Sequence, residues 1–137
     1  MAANTSPIFG LTPNVGIGAV ATTANTSKDL TSGTITLCHT AGSNGAFLQR
    51  IRFRPAGTNV ATVARVFLNN GSTTATATNN TLWDEITLAA TTLSETSALS
   101  TYELPMNFAV PSGWRVYITL GTAVAAGYNP TVIGMDY

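Results

Sequence analysis

The sequence has few charged residues. Lys, Arg, Asp and Glu make up 9% of its 137 residues and balance to a formal net charge of zero, whereas soluble domains average about 25%. A neutral chain has no bulk attraction to nucleic acid or to an anionic membrane, so we expect neither as a direct partner. A surface with so few charges is poorly protected against association. The composition therefore favours a protein whose surface is covered by its own copies or by a larger assembly.

The chain has one cysteine, Cys38, and one histidine, His39. A single cysteine excludes an internal disulfide. Adjacent residues on a strand point to opposite faces, so Cys38 and His39 make a poor chelate. We expect a buried, unreactive thiol, no bound metal and no cofactor.

Catalytic motifs are missing as well. A Ser-His-Asp triad would need His39 beside a nucleophile, and no nucleophile elbow surrounds any serine. Asp84 and Glu85 are adjacent, so a regular strand separates them onto opposite faces. The "GIG" at residues 16–18 lacks the rest of a phosphate-binding fingerprint. We therefore expect no enzyme activity.

No apolar run reaches the ~20 residues that span a bilayer. Residues 1–15 lack the basic start and apolar centre of a signal peptide. We expect synthesis in a cytoplasm without export by that route.

Strand patterns follow one another from Thr34 onward, separated by turn signals such as Asn70-Gly71. Residues 102–110 alternate and "PSG" turns the chain, so this stretch reads as a hairpin with residues 114–120. The inward rows are Tyr102, Leu104, Met106, Phe108 and Val110, then Trp114, Val116, Ile118 and Leu120. No helical period lasts two turns. The sequence predicts an all-β fold: an antiparallel β-sandwich, or a jelly-roll or β-tulip-like barrel, over residues 33–137.

Residues 1–32 are small, polar and punctuated by Gly and Pro, with no sustained period. We predict an extended N-terminal arm outside the core, whose isolated anchors bind a groove on a partner, so that a chain without residues 1–30 still folds. A disordered tail is the alternative. The anchors are Ile8, Phe9, Leu11, Val15, Ile17 and Val20.

Three of the five arginines lie in "FLQRIRFRPAG", residues 47–57. On a regular strand Arg50, Arg52 and Arg54 share a face at ~7 Å spacing, and Phe47, Ile51 and Phe53 face the core. The row predicts either cross-strand ion pairs or an interface with carboxylates of a neighbouring subunit. Phosphate binding is a third reading, which the zero net charge opposes. The carboxylate candidates are Asp84, Glu85, Glu95 and Glu103.

Two aromatic residues are candidates for an exposed contact. Trp83 alternates with Glu85 and Thr87, opposite the apolar row of Leu82, Ile86 and Leu88, and Tyr117 lies on the Arg115 side of its strand. We expect both to be partly exposed, as subunit contacts or as sugar-stacking residues.

Residues 34–137, and above all "LPMNFAVPSGWRVYITLG" (104–121) with "TAVAAGY" (122–128), resemble structural proteins of tailed-phage virions, in particular capsid decoration or cement proteins. The resemblance implies a β-sandwich or β-tulip domain, often trimeric, whose N-terminal arm clasps the shell. It further implies binding to the major capsid protein on the outer capsid surface, after synthesis in the bacterial cytoplasm. A receptor- or glycan-binding head-fibre or tail module, and a tail-tube or connector protein, are the alternatives.

Overall fold

Eight β-strands build the part of the chain that the computed structural model describes, residues 9–137. That part contains no α-helix, and a single 3-10 turn, Ala77–Asn79, precedes β5. The strands are β1 Thr12–Ile17, β2 Thr36–Thr40, β3 Ala46–Pro55, β4 Thr62–Asn69, β5 Asn80–Leu88, β6 Tyr102–Val110, β7 Arg115–Leu120 and β8 Tyr128–Asp136.

The strands form two four-stranded sheets in which every neighbouring pair is antiparallel. The first sheet has the order β1-β8-β3-β6 and the second the order β2-β7-β4-β5. This is the strand order of a jelly roll, a double-sheet sandwich of eight strands. The predicted fold class, an all-β antiparallel sandwich, is confirmed.

The core lies between the two sheets. Ile51 and Phe53 of β3 and Val132 of β8 project into it from the first sheet, and Val66 and Ile118 of the second sheet meet them; all five are completely buried. Burying apolar surface at about 25 cal/mol per Å² makes this layer the main source of stability.

The apolar rows predicted for residues 102–110 and 114–120 do face the core. Their connection is not a hairpin, however, because β6 belongs to the first sheet and β7 to the second. The turn contains Gly113 at φ 72° and carries the chain across the sandwich. Two apolar rows face the same core whether their strands pair in a hairpin or lie in opposite sheets. The alternation of apolar residues therefore cannot distinguish these two arrangements.

The predicted division into an arm over residues 1–32 and a sandwich over 33–137 is wrong for the described residues. Residues 12–17 form β1, which pairs with β8 from Thr12↔Asp136 to Ile17↔Thr131. Further along, Ala21 and Ala24 bridge to Tyr128 and Leu120. No strand was predicted for residues 12–17 because Pro13 and Gly16 are residue types that strands disfavour.

Residues 18–35, here called the cover segment, first follow β8 of the first sheet, to which Gly18 and Ala21 hydrogen-bond, and then cross the outer face of the second sheet. Leu30 is buried there against Phe67 and Tyr117. It adopts φ 66°, a left-handed conformation unfavourable for a side chain of this size. Arg65 fixes the segment by donating to the Asn25 carbonyl oxygen at 3.2 Å. The cover segment therefore belongs to the folded body.

We predict that Leu30→Ala lowers the free energy of unfolding by ~2–5 kcal/mol, because it empties a filled site between the cover segment and the second sheet. Leu93→Ala is the matched control, since Leu93 is 54% exposed. Urea denaturation of both variants measures the difference. Equal stability of the two would show that the cover segment contributes nothing to folding.

Candidate functional site: the open face of the first sheet

Among residues 9–137, no segment covers the outer face of the first sheet as the cover segment covers that of the second. The register pairs Val15 with Ile133, Arg50 with both Ile133 and Pro105, and Arg52 with Glu103. Since β6 and β8 send their alternate residues into the core, these side chains point outward. We call this surface the open face; it consists of Pro13, Val15, Ile17, Phe47, Arg50, Arg52, Arg54, Glu103, Pro105, Thr131, Ile133 and Met135.

One side of the open face is apolar and solvent-exposed. Val15 is 54% and Ile17 80% exposed, and Phe9 and Leu11, which precede β1, are 70% and 79% exposed. Single exposed apolar residues are ordinary, but a contiguous group of them is typical of an interaction surface. These predicted anchors thus lie on the chain's own sheet edge with their side chains free, while Ile8 lies outside the described residues.

The other side carries the three arginines. β3 is bulged between Leu48 and Arg50, where the register with β6 and β8 shifts. The extra residue reverses the alternation, so Leu48 is buried and Phe47 is only half-buried on the open face. The prediction that Phe47 faces the core is therefore wrong, while the predicted orientation of Ile51 and Phe53 is confirmed.

Each arginine has a different environment. Arg50 Nε is 3.9 Å from Glu103 Oε1. Arg54 donates to the Leu99 carbonyl oxygen at 2.7 Å and to Thr101 Oγ1 at 3.0 Å. Arg52 is exposed and forms no ion pair within residues 9–137.

The ion-pair reading is therefore correct for one pair only. Of the four candidate carboxylates, Glu103 alone reaches the row. Glu85 instead accepts a hydrogen bond from Arg65 Nε at 2.6 Å, which with Lys28 holds its pKa below the ordinary value. Arg52 keeps its charge available for a partner outside the described chain.

Trp83 does not lie where alternation placed it. Between Val66 and Phe67 the register with β5 shifts, so that Val66 pairs with Asp84 and Phe67 with Leu82. The bulge at Trp83 turns its ring to the core, 5.3 Å from the ring of Phe108, and turns Leu82 outward toward the cover segment. Trp83 is half-buried and is not a free stacking platform.

Tyr117 is 9% exposed, so the prediction of an exposed side chain is wrong. It points outward from β7 as alternation requires, but Leu30 of the cover segment packs over it. Its predicted orientation was right, and what sequence reasoning missed was the layer above it.

His39 and Cys38 are buried where β1 passes over β2. A Cβ on Gly16 would collide with the Cys38 carbonyl oxygen and lie 2.9 Å from His39 Cα, so only glycine permits this approach. Burial raises the pKa of the Cys38 thiol to about 12, which keeps it protonated. Neither ring nitrogen of His39 has a hydrogen-bond partner within the described residues.

Burial also lowers the pKa of His39, and the nearby carboxylate of Asp136 offsets part of that effect. The Asp136 side chain accepts hydrogen bonds from Asn14 Nδ2 at 2.9 Å and from the Gly42 N–H at 3.1 Å. His39 is therefore neutral in the fold near neutral pH, and its charging would disturb the contact of β1 with β2.

We predict that the protein loses stability as pH falls below about 6.5, the ordinary pKa of histidine. The pKa of His39 is lower in the folded protein than in the unfolded chain, so the unfolded chain takes up a proton at a higher pH. The contribution of neutral His39 to stability is complete above the unfolded pKa and is lost as pH falls toward the folded pKa. Urea denaturation at about pH 7.5 and about pH 5 measures the loss. His39→Leu is the control and should show a smaller loss; an equal loss in both proteins contradicts the assignment.

Within residues 9–137 no three His, Cys, Asp or Glu side chains cluster as metal ligands would. No helix of that part is long and apolar enough to cross a membrane. Comparison with known proteins adds no relationship: no family model, no curated protein and no solved structure matches the chain.

Proposed function

We propose that this protein is a structural component of a tailed-phage virion, a decoration protein that binds the outer capsid surface and stabilises the shell. The observation that carries the proposal is the open face, where exposed aliphatic residues adjoin Arg52, which has no ionic partner in the described chain. The sequence motifs within residues 34–137 that resemble those of decoration proteins support the same role.

The partner is a protein surface that combines apolar residues with carboxylates, and we assign it to the major capsid protein. Burial of Leu11, Val15 and Ile17 supplies hydrophobic free energy. Arg52 and Arg50 supply planar, bidentate contacts to carboxylates of the capsid protein, and these contacts fix the orientation of the bound protein on the shell. The same weak contact repeated on a symmetric lattice gives tight binding through avidity.

The glycan-binding alternative has little support in the fold. It relied on Trp83 and Tyr117, of which one packs against Phe108 and the other lies beneath Leu30. A decoration role needs neither ring to be exposed.

We predict that Arg52→Glu reduces binding to capsids by about tenfold or more, because it places a carboxylate against an acidic partner surface. The measurement is co-sedimentation of purified protein with capsids from a phage whose own copy of the gene has been deleted. Lys28→Glu reverses an exposed charge on the second sheet's side and is the matched control, with binding near that of the unchanged protein. Absence of the unchanged protein from purified virions, or equal binding by both variants, contradicts the proposal.

A further inference from the structure

Strand β1 is an edge strand of the first sheet, and its other side pairs with no strand of residues 9–137. The Gly18 N–H donates to the Pro130 carbonyl oxygen at 3.0 Å, in register with the β1–β8 pairs. Hydrogen bonding alternates along an antiparallel pair, so Gly16 and Asn14 also direct their backbone groups toward β8. The backbone N–H and C=O groups of Val15 and Ile17 point to the free side of β1. Within residues 9–137 neither of these two N–H groups donates to the backbone of another element.

The other three edges carry features that oppose strand addition. On β6 these are Glu103, Pro105 and a left-handed Asn107 at φ 53°. β5 carries Asp84 and Glu85 beside its bulge. β2 has only five residues and a register shift between Leu37 and His39.

β1 is also short, with six residues, but only Pro13 removes a donor from its free side. It contains no charged residue. Beyond Pro13 the free side still offers the N–H and C=O groups of Val15 and Ile17, and both side chains are exposed. An uncharged, apolar edge of this kind is a template for another strand.

We infer that the occupant of this edge is β1 of a second copy, paired antiparallel about a two-fold axis. A two-fold contact brings each residue type near itself, so charged strands such as β5 and β6 repel their own copies while β1 does not. Electrostatic repulsion therefore excludes β5 and β6, and the short length and register shift of β2 leave β1 as the edge best suited to pair with its own copy.

The register follows from the available groups. With the axis at Gly16, Val15 pairs with Ile17 of the partner subunit and Ile17 with Val15 of the partner subunit. Each copy donates two backbone hydrogen bonds, and neither requires the missing N–H of Pro13. The aliphatic side chains of each pair then meet on the open face, where cross-strand apolar contacts stabilise the joint.

The product is a continuous eight-stranded sheet whose central strip is apolar and whose two arginine rows lie on either side. This inference goes beyond the proposed function and does not depend on a capsid. It also differs from the trimer that the resemblance implies, since pairing at this edge closes as a dimer.

Sedimentation equilibrium of the full chain tests the inference directly. We expect a mass of twice the 14.2 kDa chain that declines to the monomer on dilution. Ile17→Lys places a charge on the edge and should weaken association at least about tenfold. Val60→Lys is the matched control, since Val60 is 58% exposed at another site and should leave association unchanged.

Residue-resolved amide hydrogen exchange identifies the strand involved. We expect the N–H groups of Val15 and Ile17 to become protected as protein concentration rises, while those of Asn14 and Gly16 are protected throughout by β8. A monomer at every concentration, a trimer, equal weakening by both lysine variants, or association without protection of Val15 and Ile17 would each overturn the inference.

Discussion

The cover segment closes one outer face of the sandwich and leaves the other outer face exposed in the described chain. Leu30, packed on Phe67 and Tyr117, closes the outer face of the second sheet. The chain has no comparable segment over the first sheet among residues 9–137, so the outer face there keeps its aliphatic side chains and Arg52 in solvent. A sandwich with two solvated faces would be symmetric in this respect, whereas this one has a closed side and an open side.

Ion pairs within the described chain lie on both sides of the sandwich. On the closed side, Arg65 contacts Glu85 and the Asn25 carbonyl oxygen, and Lys28 approaches the same carboxylate at 3.5 Å. The bond from Arg65 to Asn25 fixes the cover segment in place, whereas the exposed Lys28 pair contributes little. On the open side Glu103 lies 3.9 Å from Arg50 Nε, and Arg52, which is opposite Glu103 in the register, forms no ion pair within residues 9–137. Arg52 thus adds a charge without an ion pair to the open face, as Asp84, Glu95 and Arg115 do elsewhere in the described chain.

Alternation in the sequence predicted the regular strands well. Every inward residue of β6 was identified, from Tyr102 to Val110, because that strand keeps its period along its whole length. Predictions failed where one extra residue enters a strand: the bulges in β3 and β5 reversed the faces of Phe47 and Trp83. A bulge leaves no reliable trace in the hydrophobic pattern, since it depends on the strands on either side.

The N-terminal segment failed for a different reason. Its apolar residues do not alternate around a core because β1 is an edge strand with exposed side chains, and Leu30 is buried from a loop. The sequence did indicate that residues 9–17 offer free apolar groups, but it did not indicate that this strand belongs to the sheet. Pairing with β8, more than 110 residues later, is a long-range contact that no local pattern specifies.

The most direct test of the central claim is a cryo-electron microscopy map of the virion that resolves the orientation of this protein on the shell. The account predicts that Val15, Ile17 and Arg52 of the open face lie against the capsid lattice and that the cover segment faces solvent. A map with the cover segment against the shell and the open face in solvent would contradict it.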